Sequence, residues 1–142
     1  MTARRFLVDT DVIVEYLRGC DQAVKYLESL QGTLNVSAIT VAELYSGVRD
    51  NEREALEQFL AAFDIVTVDQ ALARDAGLCR KSYQPAHGTG LADAIVAMSA
   101  KVVGAVLVTF NKRHCTMIED LLVPYRRGEP GAEQAFRTDA AK

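Results

Sequence analysis

Four short apolar runs punctuate the chain: "RFLV" (5–8), "LNVS" (34–37), "DIVTV" (64–68) and "AVLVTF" (105–110). Stretches of helical spacing separate each run from the next. Such alternation builds a mostly parallel sheet, because parallel neighbours need a crossover long enough to hold a helix. Both faces of the sheet are then covered. The expected fold class is therefore α/β, a three-layer α/β/α arrangement around a mostly parallel sheet of four to five strands. "LLVPY" (121–125) is the fifth strand, placed at an edge where Pro124 is tolerated.

The intervening segments carry local start and stop signals. Gly19 closes a short helix after the first strand. "AVKYLESLQG" (23–32) puts Ala23, Tyr26, Leu27 and Leu30 on one face and stops at Gly32. "TVAELYSGVR" (40–49) opens on Thr40 with Glu43 three residues later, the form of a capping box. "NEREALEQFLAAF" (51–63) is amphipathic, and "DQALARDAGLCRKSY" (69–83) is a helix capped by Asp69. "QPAHGTG" (84–90) reads as a loop, and "LADAIVAMSAKV" (91–102) as a helix with so little polar surface that it must be mostly buried. At 142 residues the chain suits one domain, expected over 1–126. Periodicity is lost after Arg126, so 127–142 is expected to be a flexible tail.

Net charge is −3 and the pI about 5.4, so no global basic field draws in nucleic acid. A local basic rim or a bound metal would have to supply positive charge. Cys20, Cys79 and Cys115 are odd in number and lack C-x-x-C spacing, which argues against a disulfide framework and a zinc site and for a reducing cytoplasm. "MTARRFLVD" lacks the apolar core of a signal peptide. "AIVAMSAKVVGAVLVTF" is broken by Lys101 and Gly104 and reads as helix then strand, with no membrane span.

In doubly wound sheets the functional crevice lies beyond the carboxyl ends of the strands. Three acids, Asp9, Glu43 and Asp93, stand there at helix starts, with Asp11 beside the first. Asp9 directly follows Phe6-Leu7-Val8 and belongs at the mouth of the sheet. Asp11 has the ordinary role of capping the following helix as its default. For Glu43, capping with Thr40 and pointing into the crevice are equally open. Asp93 lies one turn into a nearly all-apolar helix, where burying a carboxylate outweighs any gain of about 0.3–1 kcal/mol from the helix dipole unless the acid is paired or bound to a cation. Clustered carboxylates raise one another's pKa and attract a cation. All-oxygen ligands suit Mg²⁺ or Mn²⁺, which also bind phosphates. These residues point to metal-dependent phosphoryl or phosphodiester chemistry.

"FLVDTDVIVEYL", "SAITVAELYSGV", "GLADAIVAMSA" and "LVTFNKRH" occur in this order, and together they resemble a PIN-domain ribonuclease of the VapC toxin type. The resemblance runs from about Arg5 to Tyr125. It implies an Mg²⁺-dependent endoribonuclease (Mn²⁺ as substitute) that hydrolyses structured cellular RNA through a metal-activated water. It also implies a cognate VapB-like antitoxin and a homodimer. By that analogy Asp9, Glu43 and Asp93 are catalytic, and Asp9 and Asp93 hold the metal. Thr10 and Thr109 are supporting hydroxyls. A fourth acid frequent in the family is absent from "TFNKRHC", where Asn111 and His114 stand instead, and Asp11 is a partial substitute. Lys112 and Arg113 are candidate RNA contacts, with Arg18, Arg49, Arg80 and Lys81 as a wider rim. An antitoxin arginine pairing with Asp9 or Asp93 would silence such a pocket.

Rival assignments use the same residues. "FLVDTDVIV" fits the opening motif of haloacid-dehalogenase-like phosphatases, with Asp9 as nucleophile and Asp11 as general acid. "GLADAIVA" lacks that family's later acidic pair. A response-regulator receiver would use Asp69, which starts a helix too neatly. A catalytically degraded PIN-like binding module has only the missing fourth acid in its favour.

Overall fold

The computed structural model describes residues 4–87, 90–111 and 121–125, the side chains of 83–87 excepted. Its strands are β1 (Arg5–Val8), β2 (Thr33–Ser37), β3 (Asp64–Val66), β4 (Val106–Val108) and β5 (Leu121–Leu122). Its helices are α1 (Thr10–Leu17), α2 (Asp21–Ser29), α3 (Ala38–Ser46), α4 (Arg53–Leu60), α5 (Gln70–His87) and α6 (Leu91–Val103). The sheet order is β3-β2-β1-β4-β5 and every pairing is parallel. The α/β expectation is met.

Alternation along the strands builds the layers. Phe6, Val8 and Val36 face one side, where they pack with Ile13 of α1, Leu27 of α2, Leu44 of α3 and Leu60 of α4. Leu7 and Leu107 face the other side, against Leu72 and Ala76 of α5 and Ala94 and Ala100 of α6. Leu7, Ile13 and Leu107 are fully buried, each contributing about 1.5–3 kcal/mol by removal from water. Ala94, Ala97 and Ala100 of α6 are at 0% exposure, so this helix lies close on the centre of the sheet.

The chain winds outward from β1 through β2 to β3, then crosses by α5 and α6 to β4 on the other side of β1. The strand order thus reverses between β1 and β4, and a crevice opens beyond their carboxyl ends. Because α6 leads into a parallel strand, its N-terminus lies at that same end. Tyr125 Oη donates to Glu15 Oε1 at 2.9 Å and lies 3.5 Å from Cys20 Sγ, tying the exit of β5 to α1. Burial, chiefly, holds the Tyr125 phenol far above its ordinary range, and its bonds to Cys20 and Glu15 add to this.

Several boundaries differ from the sequence expectation. The third, fourth and fifth strands are shorter than 64–68, 105–110 and 121–125, because only Asp64–Val66, Val106–Val108 and Leu121–Leu122 find a ladder partner. The 51–63 helix divides into a 3-10 turn (Asp50–Glu52) and α4. The expected loop at 84–90 is largely helix, since α5 runs on to His87. Pro85 sits within three residues of that helix end, where a missing N–H removes a single ladder bond. Gly32 lies beyond the end of α2 at Ser29, so its role is other than stopping that helix. The 127–142 tail falls outside the described residues. Among the described residues no helix is long and apolar enough to cross a membrane.

Candidate functional site: a carboxylate pocket at the strand-order reversal

β1 ends at Val8 because the next backbone group turns into a cap. Asp9 has extended backbone angles, and its Oδ1 accepts from Thr10 N at 2.7 Å. Its own N–H still bonds Val108 O at 2.9 Å, so the residue is held by the sheet and by α1 at once. The helix cap is therefore Asp9, and the default capping role given to Asp11 is corrected. Asp11 lies within the first turn, and its Oδ2 accepts instead from Phe110 N at 3.3 Å.

From the neighbouring strand, the Thr109 hydroxyl donates to Asp9 Oδ2 at 2.6 Å and accepts from Asn111 N at 3.0 Å. Thr109 is fully buried and Asp9 only 5% exposed. Both Asp9 oxygens are thus engaged, one from each side of the β1–β4 junction. Asn111 enters the site through its backbone, which fixes the hydroxyl that fixes the acid.

The third wall comes from α3. Its cap is Ser37, whose Oγ accepts from Ile39 N at 3.3 Å; Thr40 lies inside the helix, fully buried. The capping box expected of Thr40 and Glu43 is absent, because β2 runs directly into the helix and Ser37 takes the cap. Glu43 is released to α1, and its Oε1 accepts from Thr10 Oγ1 at 2.6 Å. Thr40 Oγ1 lies 3.1 Å from the same Thr10 hydroxyl. A buried hydroxyl pair, Ser99 with Ser37 at 2.9 Å, locks α6 to the start of α3. Ser99 Oγ also donates to Ile95 O at 2.7 Å, so Ser37 supplies the proton between the two hydroxyls. Neither Thr40's contact with Thr10 nor Ser99's with Ser37 has a local sequence signal, since both join elements distant in the chain.

Asp93 stands in the first turn of α6, half-buried, with Gly90 as the cap. Its charge and that of Glu43 reach Asp9 and help raise the Asp9 pKa, behind burial as the leading cause. The bonds from Thr109 and Thr10 oppose the rise without cancelling it. The structure therefore brings Glu43 and Asp93 each within electrostatic reach of Asp9. Among the described residues no three acidic, His or Cys side chains converge into a ready-made metal cage. Hard oxygen donors that repel one another without closing a cage fit a hydrated divalent cation of the Mg²⁺ kind, which keeps waters and takes few carboxylates. Lys112, Arg113 and His114 lie outside the described residues.

Beside Glu43, a groove of about 330 Å³ runs between α1, α3 and α4. Val14, Leu17, Leu44 and Leu56 give it an apolar floor, with Arg18 and Glu52 among its polar lining. Asp69, by contrast, is the cap of α5, its Oδ1 accepting from Leu72 N at 2.9 Å, next to the edge strand β3.

Fold and site together define a doubly wound α/β protein with a carboxylate pocket where the strand order reverses. The PIN domain family matches residues 6–118, and the chain belongs to that family. Ribonuclease VapC10 of Mycobacterium tuberculosis is 36% identical over 122 residues, covering 84% of this chain and 92% of that protein. Ribonuclease VapC19 of the same organism is 37% identical over 123 residues, with coverage of 84% and 98%. Among solved structures, FitAcB from Neisseria gonorrhoeae aligns with a TM-score of 0.69 and 29% identity, covering 84% of this chain and 97% of that one. The family membership sets aside the phosphatase and receiver assignments.

The raised Asp9 pKa has a consequence for stability. An acid whose folded pKa exceeds its ordinary 3.8 binds more protons folded than unfolded, so stability falls as pH rises through that window and stays lower above it. In EDTA, Asp9→Asn is therefore expected to melt above the wild type at neutral pH. The gap closes as pH falls toward the ordinary carboxylate value. Added Mg²⁺ should raise the wild-type melting temperature and leave the variant unmoved. Thermal melts across pH, with and without metal, check all three; a constant gap at every pH would refute the assignment of the strain to the Asp9 charge.

Proposed function

We propose that the protein is a metal-dependent endoribonuclease acting as the toxin of a toxin–antitoxin pair on structured cellular RNA. The observation that carries this is the buried Asp9 at the strand-order reversal, bonded on both oxygens and raised in pKa by its burial, with the charges of Asp93 and Glu43 adding to the rise. The names of the ribonuclease relatives support the substrate class. Asp9 and Asp93 hold the cation, and Glu43 orients the attacking water or the cation's own shell. Thr109 and Thr10 keep Asp9 in place, and the Thr10 hydroxyl also bonds Glu43. Bound there, Mg²⁺ or Mn²⁺ supplies Lewis acidity toward a phosphodiester and a nucleophile at neutral pH. Asn111 and Asp11 brace the exit of β4, and Lys112, Arg113 and His114 remain candidates for contacts to RNA phosphates. The partner is an antitoxin whose apolar segment takes the groove beside Glu43 and whose arginine enters the acidic pocket. A homodimer in a soluble cytoplasmic setting completes the proposal.

The test is incubation of the purified protein with total RNA in Mg²⁺, Mn²⁺ or EDTA, with a generic phosphate monoester in parallel. Cleavage of RNA in either metal, its loss in EDTA and no ester turnover are expected. Ester turnover without RNA cleavage would overturn the proposal.

A further inference from the structure

Thr10 Oγ1 has two close hydroxyl or carboxylate neighbours, Glu43 Oε1 at 2.6 Å and Thr40 Oγ1 at 3.1 Å. A hydroxyl carries one proton and an ionised carboxylate accepts only, so the Thr10 proton goes to Glu43. The bond between the two threonines is then donated by Thr40. The direction of the chain is fixed: Thr40 to Thr10 to Glu43.

We infer that Thr40 is a positioning residue for Glu43, its fully buried hydroxyl donating to Thr10 so that the Thr10 hydroxyl is held toward the Glu43 carboxylate. This rests on the proposed role of Glu43 in the metal site. Thr40 and Glu43 lie three apart on α3 and share a face, while Thr10 opens α1 opposite them. Glu43 is an exposed, long side chain on a helix surface, and nothing in its own turn holds its carboxylate. Thr40, at 0% exposure, is the rigid end of the chain. Hydrogen bonds in series polarise one another, so a donor to Thr10 also strengthens the Thr10 bond to Glu43. Outer partners of this kind change metal affinity or activity by about 10–100-fold when removed.

The test uses T40V, T40A and T40S, each alone and in an E43A background, with Mn²⁺ affinity by calorimetry, RNA cleavage and thermal melting as readouts. T40A and T40S both lack the threonine methyl and differ only in the hydroxyl, so they remain informative if T40V fails to fold. T40V and T40A are expected to lose about 10–100-fold in kcat and to weaken Mn²⁺ binding, with KM for RNA little changed. T40S restores most of both. In the E43A background removing the hydroxyl has no further effect on Mn²⁺ binding or cleavage. Wild-type cleavage and Mn²⁺ affinity in T40A, or an equal loss with and without Glu43, would overturn the inference while E43A alone is inactive. Wild-type behaviour of E43A would overturn the proposed site itself, and this inference with it.

Discussion

Asp9→Asn and Asp93→Asn are each expected to lower metal-dependent RNA cleavage by about a thousandfold or more, since a bound cation supplies several kcal/mol of charge stabilisation and each 1.36 kcal/mol is a factor of ten. The two variants should differ elsewhere. Asp9 is buried and bonded on both oxygens, so its amide keeps the helix cap while losing the charge. Asp93 contributes repulsion to Asp9, so D93N should lower the Asp9 pKa toward the ordinary value even as it disarms the site. Cleavage assays under single-turnover conditions, with Mn²⁺ affinity measured in parallel, separate lost metal from lost fold. Activity of D93N within about threefold of wild type, well inside what loss of a cation would do, would refute a role for Asp93 in holding the metal.

Gly32→Ala is expected to be the most damaging small substitution outside the site. Gly32 has φ +157°, and a methyl there would press on the Arg4 carbonyl, 3.0 Å from its carbon and 3.1 Å from Phe6 Cε2. That carbonyl accepts from Thr33 N at 2.9 Å, the bond that opens the β1–β2 ladder. Relief by moving Arg4 would break the bond, and relief by moving Phe6 would disturb a core ring. Backbone strain and overpacking together predict a loss of about 3 kcal/mol, and a drop in Tm on the order of 10 °C. Thermal denaturation in EDTA checks this without interference from metal. A melting temperature within about 2 °C of wild type would show that the β1–β2 opening yields more easily than its geometry indicates.

Much of this architecture is legible along the chain. Phe6, Leu7 and Val8 announce a strand buried on both faces, and the helical stretches after each apolar run require parallel neighbours. The position of Asp9 follows from the strand it ends. The caps are harder to see. Thr40 and Glu43 carry the spacing of a capping box, yet Ser37 lies three residues earlier and wins because β2 continues to it. Spacing along one segment cannot tell which of two hydroxyls meets the helix end, since that depends on where the sheet lets the strand go. The same limit hid the Thr10–Thr40–Glu43 chain, whose members come from two helices 30 residues or more apart. At 84–90 the turn-forming composition outweighed helix propagation in the sequence, and the helix prevailed to His87.

The bond between Thr109 and Asp9 spans 100 positions. A growing chain makes Asp9 just after its first strand and must then synthesise a further 100 positions before the partner hydroxyl exists. Closing so long a loop is entropically slow, and β1 has to wait for β4 even though the two become neighbours. During translation the acid therefore emerges early and its pocket is completed late. A nascent chain lacks the Thr109 hydroxyl that completes the Asp9 wall of the site until the fourth strand has left the exit tunnel and joined the sheet.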